Sequence, residues 1–451
     1  MKRKKRVLLV NPPFYRLMNS HFNGIPLGLC YIAAILKENE HNVRVYNADY
    51  VGDNEYSNQR NLFDSYEDYK NILNNPNHPM WKEIDEKIQG FKPDIIGITM
   101  LTGTYKSAER VAEITKKINK NIIVVVGGAH PTVLPDETIK NPFFDYVVRK
   151  EGEYTFLELV NGVDRTKIQG LTYINEDNEI VNNPDRKFIS DLDTLPLPRR
   201  DLFINDTRYI DYSYIMTGRG CPYECTFCAS NMIWDKKVRY HSIERVIEEI
   251  KYVQSTFGTN FFFFVDDTFI LKKNRAKRIC ESLIKNNIKI EWVCESRIDG
   301  LDRDILKLMK KAGCVRVKIG VESGCERLLK LMKKNTKKDQ IRKAVSLLKE
   351  VGIEITTHLM TGFPTETNHE VRETLEFAKE LDPDYFSLSI LSPYPGTAIY
   401  YDIIKNGLKL PKEHWEYFFH QSKDMMLTLD IDEKLVDEFL SLNDQKGKHR
   451  L

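Results

Sequence analysis

Cys221, Cys225 and Cys228 stand in the spacing C-x3-C-x2-C, three thiols on one short loop with Phe227 just before the last. Thiolates are soft metal ligands, but a structural zinc site is normally closed by four ligands and an ordinary iron–sulfur cluster by four thiolates. Three thiolates can hold a cubane cluster at three corners and leave one iron free to bind something else. The plainer alternative is an incomplete zinc knuckle. Cys30, Cys280, Cys294, Cys314 and Cys325 are scattered singly through apolar surroundings and read as small buried residues.

The elements that must carry this loop follow from hydrophobic periodicity. In the first 150 residues, apolar runs at Arg6–Val10, Asp94–Met100 and Ile122–Val126 read as strands buried on both faces. Asn42–Asn47 and Asp145–Val148 complete a five-stranded set, with helices at Gly28–Glu38 and Ser107–Ile118. Residues 52–92 interrupt the rhythm with a polar insertion rich in Asn and aromatics, whose structure the pattern does not set. Residues 151–205 are expected to form a hairpin, at Ile168–Ile174 and Glu179–Asn182, and a proline-rich linker at Leu195–Asp201. A second domain, 206–400, alternates strands with helices six times. Its strands are Tyr212–Met216, Asn260–Val265, Lys289–Cys294, Val315–Val321, Ile353–Leu359 and Asp384–Leu391. Six units fall short of the eight that close a TIM barrel. The expected fold class is therefore α/β: an amino-terminal Rossmann-like, doubly wound parallel sheet followed by a partial (β/α)6 TIM-like barrel. Residues 401–451 are expected to be a short, polar carboxy-terminal extension.

Composition narrows the remaining choices. A chain of 451 residues with net charge +2 has no polyanion-binding signature, so no nucleic-acid partner is expected. No stretch approaches the 18 or so apolar residues of a membrane span. The basic opening Met1–Arg6 precedes too short an apolar run for a signal sequence. Scattered single cysteines with no disulfide framework fit a reducing, cytoplasmic location.

The cysteine spacing resembles the radical S-adenosylmethionine (SAM) superfamily, where a 4Fe–4S cluster binds SAM through its open iron and cleaves it to a 5′-deoxyadenosyl radical. The loop follows the first strand of the second domain, where such folds build their sites. The resemblance implies SAM contacts at Phe227 and at the ends of successive strands. Asp266 and Asp267 would receive the ammonium; the plainer alternative is a solvated Asp pair capping the next helix. Arg297 would pair with the carboxylate, or alternatively with Asp299. Glu322, beside Ser323, would accept the ribose hydroxyls. Gly320–Gly324, Thr361–Pro364 and Pro393–Thr397 resemble the branches that carry an amino-terminal cobalamin-binding domain.

In residues 1–150 that resemblance falls on three turns: Asn11, Pro12 and Pro13; Thr99, Thr102 and Thr104; and Gly127, Gly128 and His130. The glycines are expected to let a large flat ligand lie against bare backbone. Many cobalamin domains place D-x-H-x-x-G after the first strand, with that histidine below the cobalt. Asn11-Pro12-Pro13-Phe14 stands here instead, so cobalamin with no protein imidazole as lower ligand is expected, and His130 is not expected to be a cobalt ligand. A dinucleotide site is not supported, since no G-x-G-x-x-G follows the first strand. The methylthiotransferase branch needs a second three-cysteine cluster where this chain has only Cys30.

The resemblance thus implies a cobalamin-dependent radical SAM methyltransferase. It would move a methyl group from methylcobalamin to an unactivated carbon, or phosphorus, of a small-molecule, lipid or tetrapyrrole substrate. A flavodoxin or ferredoxin would supply electrons. Oxidative cyclisation or rearrangement on the same cofactors is the alternative, and a non-catalytic cobalamin sensor is the rival of another class.

Overall fold

Val7, Leu8, Leu9 and Val10 are all at most 1% exposed, as a strand covered by helices on both faces must be. They lie in β1 (Arg6–Asn11) of a computed structural model that describes residues 4–18, 24–50, 59–205, 208, 210–407, 409–411, 414–427 and 431–442. The chain divides into two compact units. One comprises Met1–Ser57, Asp64–Asp211 and His414–Phe418; the other comprises Asn58–Phe63, Tyr212–Glu413 and Phe419–Leu451.

The first unit is built on β1, β2 (Asn42–Asn47), β3 (Ile95–Thr99), β4 (Ile123–Gly127), β5 (Tyr146–Val148), β6 (Leu171–Ile174) and β7 (Ile180–Asn182). Their order is β2-β1-β3-β4-β5-β6-β7, parallel as far as β5 and antiparallel beyond it. Chain order reverses between β1 and β3, and ligands of open parallel sheets bind outside the carboxyl ends of strands at such a switch point. The first five strands follow the expected pattern. Residues 151–205, by contrast, do more than link. The helix Glu153–Val160 buries Phe156 and Val160 in this unit's core, and the hairpin extends the sheet itself. Of the 52–92 insertion, residues 52–58 lie outside the described residues. The rest forms helices Tyr66–Leu73 and Pro79–Phe91, burying Tyr69, Trp81, Ile84 and Ile88, and the helix Gln59–Asp64, most of which belongs to the second unit. Asparagines and prolines between the apolar positions hid that pattern.

The second unit holds β8 (Tyr214–Ile215), a small ribbon of β9 (Gly218–Arg219) and β10 (Arg239–Tyr240), then β11 (Phe261–Phe264), β12 (Glu291–Ser296), β13 (Cys314–Glu322), β14 (Glu354–Thr361) and β15 (Tyr385–Ile390). Six of them form one parallel sheet in the order β15-β14-β13-β12-β11-β8. Each neighbour is next in chain order, so helical crossovers all return to one face and leave an open six-unit barrel. Amphipathic helices such as Ile243–Phe257, Lys338–Val351 and Asn368–Leu381 cover that face with Ile250, Ile341 and Leu375. The carboxy-terminal extension is not merely polar. Its helix Glu433–Ser441 buries Leu435, Val436, Phe439 and Leu440 in the same core. Among the described residues, no helix is long and apolar enough to cross a membrane.

Candidate functional site

The cysteine loop leaves β9 at Gly220, whose φ of +98° favours glycine, and a Cβ there would collide with the Lys237 carbonyl. Several backbone hydrogen bonds pin the loop. The Thr226 N–H donates to the Met332 carbonyl at 3.0 Å, and the Thr226 carbonyl accepts from Ile399 at 3.0 Å. Cys228 N–H closes a turn onto the Cys225 carbonyl at 3.1 Å. The Arg297 guanidinium lies over the Tyr223 ring, 3.8 Å from its centroid, with Nη1 4.0 Å from Cys225 Sγ.

All three thiols line a cavity of about 360 Å3 at the carboxyl ends of the strands, a volume typical of small-molecule sites. Burial pushes the Cys228 thiol up to about 11 and also raises that of Cys221, so each thiol would need a metal to displace its proton. Among the described residues, no three His, Cys, Asp or Glu side chains gather around one point as a single metal ion requires. Three thiols on one cavity, with no fourth cysteine in its lining, are the donor set of a cluster that keeps one iron open.

The structure sorts the other nominated residues. Phe227, Asp267, Arg297 and Glu322 line the same cavity as the cysteines. Asp266 does not, because its carboxylate is turned inward to accept from the Thr217 N–H at 2.6 Å, with the Thr217 hydroxyl as a second donor. Burial holds Asp266 up at about 6 despite those bonds. It anchors the approach to the cysteine loop. Ser323 is also displaced from the site: it is fully buried, and its hydroxyl meets Thr374 and accepts from the Cys325 N–H at 3.1 Å. Arg297 satisfies both readings offered for it. It pairs with Asp299 at 2.7 Å, donates to the Lys334 carbonyl at 2.7 Å, and still faces the cavity.

Glu322 sits at φ +67° where the β13–β14 register shifts, and its Oε1 accepts from Lys334 Nζ at 2.6 Å. Glu295 and Tyr394, which lie in strand-end strings noted in the sequence, also line the cavity, as do Lys318, Lys334, His358 and His420, which were not singled out from it. Lys318, Gly320 and Glu322 alternate with period two, so strand periodicity could have placed Lys318 on the inner face. Lys334 and His420 lie in loops and carry no such signal.

In the first unit, the turns after β1, β3 and β4 gather at the carboxyl edge of the sheet. Asn11 donates to Asn47 at 2.8 Å. Pro12 and Pro13 are buried, and Thr99 is half-buried. Thr104 Oγ1 accepts from the Leu101 N–H at 2.9 Å, and Thr102 Oγ1 meets His130 Nδ1 at 3.2 Å. His130 is packed against Tyr105 and Trp415, and burial lowers it to about 4, so the ring is neutral. The glycines also meet neighbouring backbone closely. A Cβ on Gly128 would approach the Met100 carbonyl oxygen to 2.6 Å, and one on Gly127 would approach the Val148 carbonyl to 3.3 Å. Gly128 is thus required by the close approach of the Met100 backbone, and Gly127 by a tighter-than-ordinary contact with Val148. What this edge does present is Leu101, 60% exposed at the tip of the β3 turn beside the β1/β3 switch. An apolar tip on such a crevice fits a flat macrocycle; His130 uses Nδ1 on Thr102 and leaves Nε2 buried without a partner.

Comparison with known proteins agrees with both halves. Residues 215–378 match the model of the radical SAM superfamily, and residues 16–160 match that of the B12 binding domain. The chain is 36% identical over 424 residues to an uncharacterized methyltransferase of Pyrococcus horikoshii, covering 91% of this chain and 86% of the relative. It is 30% identical to an anaerobic magnesium-protoporphyrin IX monomethyl ester cyclase of Rubrivivax gelatinosus, covering 71% of this chain and 60% of that one. The fold matches that of the radical SAM methyltransferase TsrM of Kitasatospora setae, solved with cobalamin and a [4Fe–4S] cluster bound. The TM-score is 0.70 at 20% identity, over 90% of this chain and 78% of that one. The chain therefore belongs to the radical SAM superfamily, in the branch whose radical SAM domain follows an amino-terminal B12-binding domain.

Proposed function

We propose that the protein is a cobalamin-dependent radical SAM methyltransferase that installs a methyl group on an unactivated carbon of a small-molecule substrate. The observation that carries this is the three-thiol loop opening into one cavity with Asp267, Arg297 and Glu322, in a chain that also bears a B12-type domain. Cys221, Cys225 and Cys228 would hold a 4Fe–4S cluster. Asp267 and Glu322 would meet the ammonium and ribose of SAM, and Arg297 would neutralise its carboxylate while fixing Tyr223 and the loop. Together the cluster with SAM supplies a radical able to open a substrate C–H bond, and cobalamin supplies the methyl group. Each turnover would consume two SAM and two electrons, releasing S-adenosylhomocysteine, 5′-deoxyadenosine and methionine. A low-potential donor such as flavodoxin or ferredoxin would bring the electrons in a reducing cytoplasm, where Cys30, Cys280, Cys294, Cys314 and Cys325 would remain free thiols.

The protoporphyrin cyclase relative favours a second reading, oxidative cyclisation on the same cofactors. One experiment separates them. Anaerobic, reconstituted protein is given reductant, SAM bearing a trideuterated methyl group, and metabolite extract from a deletion strain. Methyl transfer yields a trideuterated metabolite, with S-adenosylhomocysteine and 5′-deoxyadenosine in similar amounts. Deoxyadenosine formed in response to extract, without S-adenosylhomocysteine or a labelled product, would refute the methyltransferase reading in favour of cyclisation or rearrangement.

A further inference from the structure

Four of the six large apolar side chains exposed among the described residues stand on three short helices that frame the cysteine loop; Leu101 and Val163 are the other two. Met232 lies in Ser230–Trp234, directly after the loop, and Leu331 ends Glu326–Leu331. Tyr401 and Ile404 are three residues apart on Ala398–Lys405, so they share a face opposite the buried Ile399 and Ile403. None of the four lines the cavity, so they lie on the outer side of the loop. Thr226 ties two of these helices to it, through the Met332 carbonyl and the Ile399 N–H, each at 3.0 Å. Leu328, Met332, Ile399 and Ile403 form one buried cluster beneath them, and Phe227, which lines the cavity beside the cysteines, packs on it. A single layer of side chains thus separates this surface from the wall that carries the thiols.

The charge around these apolar side chains is lopsided. Lys330 and Lys333 flank Leu331, Lys405 follows Ile404, and Lys409 lies just beyond. All four are exposed, and among the described residues none of their ammonium groups has a hydrogen bond or an ion pair. The other cations nearby are committed, Arg327 to Glu370 and Lys236 to Glu224. On the same two helices the carboxylates are Glu326, which accepts from the Lys338 N–H at 3.3 Å, and Asp402. Uncommitted cations therefore exceed carboxylates. An apolar centre with a polar, charged rim is the anatomy of a protein interface, and the sign of the rim selects an acidic partner.

We propose that this face, centred on Leu331, Tyr401 and Ile404 and rimmed by Lys330, Lys333 and Lys405, docks an acidic electron-carrier protein of the flavodoxin or ferredoxin kind. The carrier gives up one electron and the cluster held by Cys221, Cys225 and Cys228 gains it, with no bond made or broken. This rests on the radical SAM reading of the cysteine loop, but not on methyl transfer. The inner side of the loop faces the cavity, which SAM and substrate must occupy, so electrons enter from the outer side. The lysines steer the encounter, and the apolar side chains lose water when the carrier seats.

The test compares reductants on the cluster- and cobalamin-loaded protein under anaerobic conditions. Titanium(III) citrate is small and needs no docking, whereas reduced flavodoxin and reduced ferredoxin, both acidic, must dock. Isothermal titration with each oxidised carrier reads binding without turnover, and 5′-deoxyadenosine formed from SAM without substrate reads electron delivery at limiting carrier. L331S/I404S and K330E/K405E should each weaken binding and slow carrier-driven cleavage about tenfold or more, with the titanium-driven rate unchanged. The K330E/K405E deficit should shrink as salt rises from about 0.1 to 1 M, and the L331S/I404S deficit should persist. V163S and K285E, on exposed residues of other elements, should change neither readout. Carrier binding equal to the parent's in both double variants, or an equal loss with titanium, overturns the proposal. So does sedimentation showing that the double variants dissociate a dimer of this chain, since a second copy would then cover the face. If titanium drives cleavage and neither carrier binds the parent protein, this surface is refuted while the radical SAM reading stands.

Discussion

Replacing Lys334 by methionine tests how the cavity wall is held together. Lys334 Nζ and Glu322 Oε1 are 2.6 Å apart, with side chains only 8% and 10% exposed. The pair lies across Gly320, where any Cβ would collide with both charged atoms. Lys334→Met keeps most of the stem's volume but strands a carboxylate away from water. Breaking one partner of a buried ion pair costs about 3–5 kcal/mol. Protonation sets a ceiling, since neutralising an ordinary carboxyl at pH 7.5 costs about 4 kcal/mol, at ~1.4 kcal/mol per pH unit. The expected loss is therefore about 3–4 kcal/mol at pH 7.5, a large share of the ~5–15 kcal/mol that holds a typical domain folded. It should shrink by more than ~1 kcal/mol at pH 5.5, where protonation is easier. Urea unfolding followed by circular dichroism measures this for K334M, E322Q and the double variant. The double variant should recover at least half of the K334M loss, because a neutral amide beside methionine leaves no buried charge. A K334M loss below ~1 kcal/mol, or additive single losses with no recovery, would refute the reasoning and show that water reaches the pair.

Two further outcomes follow from the same geometry. Anaerobically reconstituted protein should carry about four irons in its thiolate cluster, and C221A, C225A or C228A should each lose that iron, while C280A, C294A, C314A and C325A should keep it; zinc without iron in the intact protein would remove the cluster. Glu366 is buried, with one oxygen accepting from the N–H groups of Gly362 and Phe363 and from the Thr361 hydroxyl, and the other without a partner. Burial raises it to about 7, so the folded state holds its proton longer than the unfolded chain. Its stabilising contribution is full below about 4.5 and is lost as pH rises to about 7. E366Q, which needs no ionisation, should become more stable than the parent by up to ~3 kcal/mol across that window; a stability difference independent of pH would contradict this.

The sequence by itself determined the elements and the chemistry that depends on local spacing. Continuous apolar runs such as Val7–Val10 and Ile122–Val126 declared buried parallel strands, because only a strand covered on both faces keeps so long a run out of water. The C-x3-C-x2-C loop declared a site with an open metal position, since ligand number and spacing are properties of a short segment. The weak periodicity of residues 59–91 and 431–442 hid helices whose apolar faces are recognisable only beside the cores they fill.

Tertiary structure decided which polar side chains the site receives. Asp266 and Asp267 are adjacent in sequence, yet one carboxylate turns in to hold Thr217 and the other faces the cavity. Successive residues at a strand's end point to opposite sides, and which side is the cavity depends on the neighbouring strands. The same holds for the glycines at 127 and 128, whose close approach to the Val148 and Met100 backbone only the fold reveals. Lys334 and Lys318 make the contrast sharpest. Both are lysines facing one cavity, but Lys334 makes a 2.6 Å contact with a carboxylate 12 residues away, while Lys318 lies over the Phe263 ring with Glu295 as a more distant charge. Charge can be read along a chain; whether it is compensated depends on what the fold brings within about 4 Å, because ion pairing decays with distance and burial sets its strength.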